Sequence, residues 1–369
     1  MADHDNQWKD CPFDWMVDIF SKLSLKQLKR NVVRVNKDWK MAADFVIRMR
    51  EDLILVFKSS TSSPCDSVII ITPQNSEQVV RMLMKMENVT DVTACMSEYA
   101  AGNEIRRLLL HKWSPTLLSL SVNRCDLSGL TFPMLKKLEA GSSRLPAMTV
   151  SGTRSIQSLS FCEVGDPCLV LETIRKPERM LELNLCGGDI ASNDTSRAVD
   201  AILSFRNLKK LYLPRFHSNT DNYILRLSRG FNQLTHVSIS RSRDSDAIDA
   251  AVEDLVTRNP HLSEVDLLEV DLTDRSFVSL ARLHNLTRVH LEDCSPGSAD
   301  CVLTLLRGPS RTKITYVMVS LNPATTLEKN QEIEDERLVI ERETGHVLLY
   351  IEARIGNNHP EIYSDDDWS

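Results

Sequence analysis

The sequence predicts an α/β solenoid, in which short parallel strands alternate with helices or turns, behind a small helical unit at the N-terminus. Three observations carry this reading. A short pattern with apolar residues at its first, fourth and sixth places recurs along most of the 369 residues, at a mean spacing of about 25 residues. Amphipathic segments that open on helix-starting residues fall between its copies. Ahead of the pattern, residues 12–43 carry apolar positions at three- and four-residue intervals, the period of a helix. Stacking such units sets parallel strands on a concave side and helices on a convex side.

The first helix is expected from Phe13 to Lys22. Phe13, Met16, Val17 and Phe20 share one face, with Ile19 and Leu23 alongside. Pro12 suits the entry to a helix, where its missing N–H costs nothing. Ser24 and Gln27 read as a capping box for a second helix, along which Leu28, Val32, Val35, Trp39 and Ala42 or Ala43 continue the apolar stripe. So small a unit buries too little surface to be stable alone, so its apolar face implies a docking partner. The alternative is that these helices cap the open end of the solenoid.

Residues 46–88 read as a connecting segment or a first atypical repeat. Strands are expected at Leu53–Phe57 and Val68–Thr72, followed by a methionine-rich helix at Ser76–Met86. Repeats take over at Val89-x-x-Val92-x-Ala94. Leu117-x-x-Leu120-x-Val122-x-x-Cys125-x-Leu127 then fills every marked place of the leucine-rich template. Leu135, Ile156, Met180, Leu208, Leu234, Leu262 and Leu286 open further copies, and the last clear one is Ile314-x-x-Val317-x-Val319-x-x-Asn322. Helices are expected between them at Asn193–Phe205, Asp221–Arg229, Ser245–Arg258, Asp274–Leu283 and Ser298–Arg307. Each opens near Asn, Asp or Ser, whose side chains satisfy free backbone N–H groups. Between residues 117 and 156 the spacing leaves room only for turns or brief helices. Cys125 and Cys294 stand where the template takes Asn or Cys, a side chain that bonds the backbone at the corner after the strand.

After Pro323, Leu338–Glu343 and His346–Glu352 flank Thr344-Gly345 and read as a hairpin or a final atypical turn. The expected division is therefore a helical domain at 1–45, a connecting segment at 46–88, repeats at 89–327, and a closing hairpin with an acidic tail at 328–369.

Charge and composition exclude several classes. The formal net charge of −7 is uneven, with +3 over residues 1–50 and −8 over residues 328–369. The near-neutral middle argues against nucleic-acid binding by the array. No apolar run is long enough for a membrane span, and the start lacks a signal-peptide pattern, so a cytoplasmic or nuclear protein is expected, with no membrane partner. Nine cysteines, an odd number without a Cys-x-x-Cys pair, fit reduced thiols. Gly187-Gly188 and Arg307-Gly308-Pro309-Ser310 are not phosphate loops, the histidines lack metal-ligand spacing, and nothing marks a nucleophile elbow. No catalysis, cofactor or metal is expected.

The segment from Cys11 to Phe45 resembles an F-box. Pro12, Asp14, Ile19-Phe20, Leu23, Leu25, Leu28, Val33 and Lys37-x-Trp39 match that family's pattern, while Cys11 stands for its usual Leu and Asn36 for its usual Cys. An F-box ahead of a leucine-rich array is a recurrent layout, and the whole chain resembles an F-box/leucine-rich-repeat protein. The resemblance implies a non-catalytic substrate-recognition subunit of a Skp–cullin–F-box ubiquitin ligase. The F-box would dock on the Skp adaptor, and through it on a cullin, while the repeats bind the protein to be ubiquitinated. It implies an adaptor-facing surface drawn from Pro12, Phe13, Met16, Ile19, Phe20, Leu23, Leu25, Leu28, Val33 and Trp39. The alternative is a leucine-rich scaffold or inhibitor with no ligase role.

Within a repeat strand the marked apolar residues point inward and the intervening ones face out. That alternation groups Lys210, Tyr212 and Arg215 with His236, Arg241, Glu264 and Asp266 as a candidate target-binding surface, continued by Glu269, Arg288, His290 and Glu292. Its charge passes from basic to acidic along the array, which would set the register of a charged partner. The basic cluster beside Tyr212 suits a phosphorylated or anionic segment. The plainer reading is an ordinary solvated sheet.

Overall fold

A computed structural model describes residues 12–23, 27–32, 35, 37–50, 52–57, 69–97, 100–141, 145, 147–153, 155–161, 167–186, 189–191, 193–213, 215–216, 222–242, 245–292, 294, 298–321, 327–345 and 348–353. The chain divides into two compact units, residues 1–180 and 181–369.

The first unit opens with helix α1 (Phe13–Ser21), a π-helical turn (Leu28–Val32) and helix α2 (Lys37–Arg48). Pro12 sits at the start of α1 with φ −57°, where its fixed φ and missing N–H cost no helical hydrogen bond. The far end is closed from a distance: the Arg50 guanidinium donates to the carbonyls of Ser21, at 3.4 Å, and Leu23. A cation there satisfies orphan carbonyls and complements the helix dipole. The expected second helix is interrupted. Leu28 and Val32 are buried in the π turn, whose wider hydrogen-bonded ring shifts the register of the faces, and Val35 is left exposed. The apolar stripe resumes at Ala42, Ala43, Val46 and Ile47. Ser24 of the expected capping box, with Leu25, Val33 and Asn36, lies outside the described residues.

There follow β1 (Asp52–Phe57), β2 (Ile69–Ile71), α3 (Ser76–Leu83), β3 (Asp91–Ser97), α4 (Ala100–Trp113), β4 (Ser119–Asn123), β5 (Lys137–Gly141), α5 (Ala147–Ser151), β6 (Ser158–Phe161) and α6 (Pro167–Glu172). The strands of this unit lie in the order β6-β5-β4-β3-β1-β2, and all their pairings are parallel. Register follows the repeat, with Val92 beside Leu120, Leu120 beside Leu138 and Leu138 beside Leu159, all buried. Arg106 of α4 is buried against the corner after β4, donating to the carbonyls of Asn123 at 3.0 Å and Arg124 at 2.7 Å. Arg124 holds a left-handed φ of 49°, a conformation that costs any residue with a Cβ energy unless its surroundings fix it.

The second unit runs β7 (Glu182–Asn184), β8 (Asp189–Ile190), α7 (Thr195–Leu203), β9 (Lys210–Tyr212), β10 (Arg215–Phe216), α8 (Asn222–Gly230), β11 (His236–Ser242), α9 (Ser245–Arg258), β12 (Glu264–Val270), α10 (Asp274–Leu280), β13 (Arg288–Glu292), α11 (Ala299–Leu306), β14 (Tyr316–Leu321), α12 (Leu327–Thr344) and β15 (Leu348–Ala353). Its main sheet is parallel in the order β15-β14-β13-β12-β11-β9-β7, the stacking of a solenoid-like α/β fold. One apolar row crosses it in register: Leu183, Leu211, Val237, Val265, Val289 and Val317.

The four steps from β9 to β14 are also pinned by a hydroxyl. Thr235, Ser263, Thr287 and Thr315, each just before a strand, donate at 3.0–3.1 Å to the carbonyls of Lys209, Thr235, Ser263 and Thr287. Buried Asn259 accepts from Leu234 N–H at 2.8 Å, and Ser310 accepts from Leu286 N–H at 2.9 Å, so the backbone at two repeat starts is satisfied from the far end of the same repeat. The helix starts follow the sequence expectation in part: Ser298 caps α11 through its hydroxyl, and Thr273, one residue ahead of the expected Asp274, caps α10, while Asp194 makes no side-chain cap bond at α7.

The end of the chain corrects it. Residues Leu338–Glu343 form no hairpin strand; they belong to α12, and β15 pairs in parallel with β14. Acid–base pairs at helical spacing, Arg337 with Glu334 and Glu341 and Lys329 with Glu332, favour the helix. Gly345 ends it with a left-handed φ of 77°. No helix among the described residues is long and apolar enough to cross a membrane.

Candidate functional site

Two surfaces collect the residues singled out by the sequence. The first is the N-terminal helical pair. Helices α1 and α2 close on each other through Phe20, whose ring lies 5.4 Å from that of Trp39, and through Phe13, 5.8 Å edge-on from Phe45. Met16, Phe20 and Leu28 fill the space between these elements and are buried. These three candidates serve the interior. Leu23 and Trp39 are half-buried, Pro12 is exposed, and Leu25 and Val33 lie outside the described residues.

What remains outside is still apolar. Trp15 is 68% exposed and Ile19 42%, one helical turn apart on α1. Met41 and Phe45 on α2 and Met49 just past its end form a second exposed strip, also at four-residue spacing, with Phe13 against Phe45. Single exposed apolar residues are ordinary, whereas grouped apolar exposure of this kind recurs at interaction surfaces. Trp15, Met41, Phe45 and Met49 were not among the sequence candidates. The Pro12–Trp15–Ile19 spacing was the available signal, overshadowed by the stronger Phe13–Met16–Phe20 stripe.

The second surface belongs to unit 181–369. With the apolar row turned inward, the alternate residues form two rows on the opposite face. One runs Glu182, Lys210, His236, Glu264, Arg288 and Tyr316; the other runs Asn184, Tyr212, Ser238, Asp266, His290 and Met318. The structure thus brings Lys210, Tyr212, His236, Glu264 and Asp266 together. It does not bring Arg215, whose short strand β10 pairs with β8 in a separate sheet, opposite Asp189. The chain leaves the main sheet after Leu213, which breaks the alternation on which that grouping rested. Arg241 falls one residue past Ser240, out of the alternation shared by His236 and Ser238.

The face is densely paired. His236 Nε2 lies 2.8 Å from Glu264, and its Nδ1 is 2.7 Å from the Thr235 hydroxyl. Asp266 receives Arg288 at 3.3 Å and faces His290 at 3.8 Å, while His290 Nε2 is 3.3 Å from Glu292. The Arg288 guanidinium stands 4.7 Å over the Tyr316 ring. Burial pushes the Tyr212 phenol up to about 12, and the charges of Glu264, Glu182 and Asp266 add to the effect.

Cys294 answers the template expectation, its thiol lying 3.1 Å from the Leu267 carbonyl at the corner after β13. Burial pushes that thiol up to about 12, so it is held protonated and unreactive. Among the described residues, no group of His, Cys, Asp and Glu is arranged to hold a metal ion. Comparison of the chain with protein-family models and with curated proteins finds no match.

Proposed function

We propose that this chain is a non-catalytic recognition subunit with two working surfaces. The N-terminal helical unit docks, as its resemblance to an F-box implies, on a Skp adaptor and through it on a cullin. The 181–369 sheet face, built from leucine-rich repeats, receives the protein to be ubiquitinated. The observation that carries the reading is the pair of exposed apolar strips, Trp15–Ile19 and Met41–Phe45–Met49, on helices whose own interior is already filled by Met16, Phe20 and Leu28. A strip in that position is what an adaptor buries and what a mere end-cap has no use for.

The test is a pull-down of full-length chain with purified Skp adaptor, beside the double variant W15A/I19A. Both residues are exposed, so the variant is expected to stay folded and to lose the adaptor. A folded wild-type chain that captures no adaptor returns the helices to the role of a solenoid cap. A variant that binds as well as wild type removes the Trp15–Ile19 strip from the adaptor contact and contradicts the reading.

A further inference from the structure

The face of the 181–369 sheet carries an excess of negative charge. Glu182, Glu264, Asp266 and Glu292 stand on it, against Lys210 and Arg288. The sequence alone pointed to a phosphorylated segment beside Tyr212, because Lys210, Arg215 and Arg241 appeared to cluster there. With Arg215 in the other sheet and Arg241 out of the alternation, Lys210 is the one lysine or arginine in the two rows near Tyr212. It lies in register between Glu182 and His236.

The molecule itself displays what this face accepts. Arg288 lays its guanidinium over the Tyr316 ring at 4.7 Å and bonds Asp266 at 3.3 Å. Tyr212 offers a second such cradle, a ring with carboxylates about it, and among the described residues no guanidinium stands over it. Its phenol holds its proton to about 12, chiefly by burial and then through Glu264, Glu182 and Asp266, which marks the negative field at that point.

We infer that this sheet face binds a basic segment of its protein target, seating a Lys or Arg side chain over the Tyr212 ring, beside the row that holds Glu182 and Glu264. A cation over a tyrosine ring and beside carboxylates gains from both. A phosphate at the same point would meet the carboxylates that the ring already senses. The inference rests on the receptor reading only in taking this face as the one that meets a protein.

The test is fluorescence anisotropy on the full chain with two labelled Gly-Ser peptides of equal length, one bearing Arg and Lys at alternate positions, the other phosphoserine. The arginine–lysine peptide is expected to bind and the phosphoserine peptide not. E182Q/E264Q is expected to weaken the basic peptide by about tenfold or more. D366N/D367N, which removes as much negative charge from the tail, is expected to leave it unchanged. Should the first variant lose its thermal transition, Y212A reads the same contact. Tighter binding of the phosphoserine peptide, no binding of the basic one, or loss equally with the tail variant would overturn the inference. Adaptor pull-down of the same E182Q/E264Q protein separates the readings. An adaptor complex that persists while the peptide is lost isolates the sheet face, and a chain that holds the peptide but never the adaptor sinks the ligase role alone.

Discussion

Asp249 is a buried carboxylate that ties α9 to the start of the next helix. It accepts from the Thr273 N–H at 3.2 Å, from the Thr273 hydroxyl, and from the Ser276 hydroxyl at 2.5 Å. Asp249→Ala strands all three donors in the interior and is expected to cost about 2–3 kcal/mol in urea unfolding, against a smaller loss for Asp249→Asn. A cost below about 0.5 kcal/mol, the range of ordinary surface changes, would contradict the contact. Tyr212 gives a pH prediction. Its native phenol lies near 12, above the ordinary 10, so between those values the folded chain keeps a proton that the unfolded chain has lost. The stability this contributes is complete below pH 10 and falls as pH rises from 10 to 12. Phenolate absorbance of wild type minus Y212F should show that group titrating near 12, and a transition at 10 would contradict it. At this scale the sequence was half legible. Residue type could mark Phe20 and Trp15 alike as apolar. Only the packing against Trp39 sends the first inside and leaves the second out.

The repeat strands were the most legible elements because an apolar side chain at a fixed place in each repeat has to meet its neighbours in register, as Val237, Val265 and Val289 do. The hydroxyl ladder was less visible, since Thr and Ser before a strand suit a turn equally well. Its energetic share can be read directly: Thr287→Val removes the 3.0 Å bond to the Ser263 carbonyl at nearly constant volume and is expected to cost about 1 kcal/mol. A neutral or stabilising effect would make the ladder incidental. Helix α12 was misread as a hairpin because the sequence reading weighed the short apolar runs around Gly345. The ion pairs that decide the matter join residues three and four apart or reach another helix, as Arg307 does in meeting Glu332 and Glu336. Charge-charge spacing, given the same weight as apolar spacing, would have found it. In the N-terminal pair, Phe20→Ala is expected to destabilise by about 3–4 kcal/mol, while Trp15→Ala changes stability little. Thermal melts of the two variants separate the interior from the exposed strip.

At the scale of the molecule, two units share one construction, parallel strands stacked in register with helices or turns between them. Their distinctive chemistry lies on the outside. The 1–180 unit carries exposed apolar helices, and the 181–369 unit carries a sheet face with excess carboxylate and two tyrosine rings. On the reading proposed above, both surfaces bind other proteins. Hydrogen exchange of the full chain, with and without saturating Skp adaptor, tests the division of labour most directly. The expected result is slowed exchange across Phe13–Arg48 with the amides of β9 to β14 unchanged. Exchange unaltered at Phe13–Arg48, or protection that falls on the 181–369 sheet instead, would contradict it.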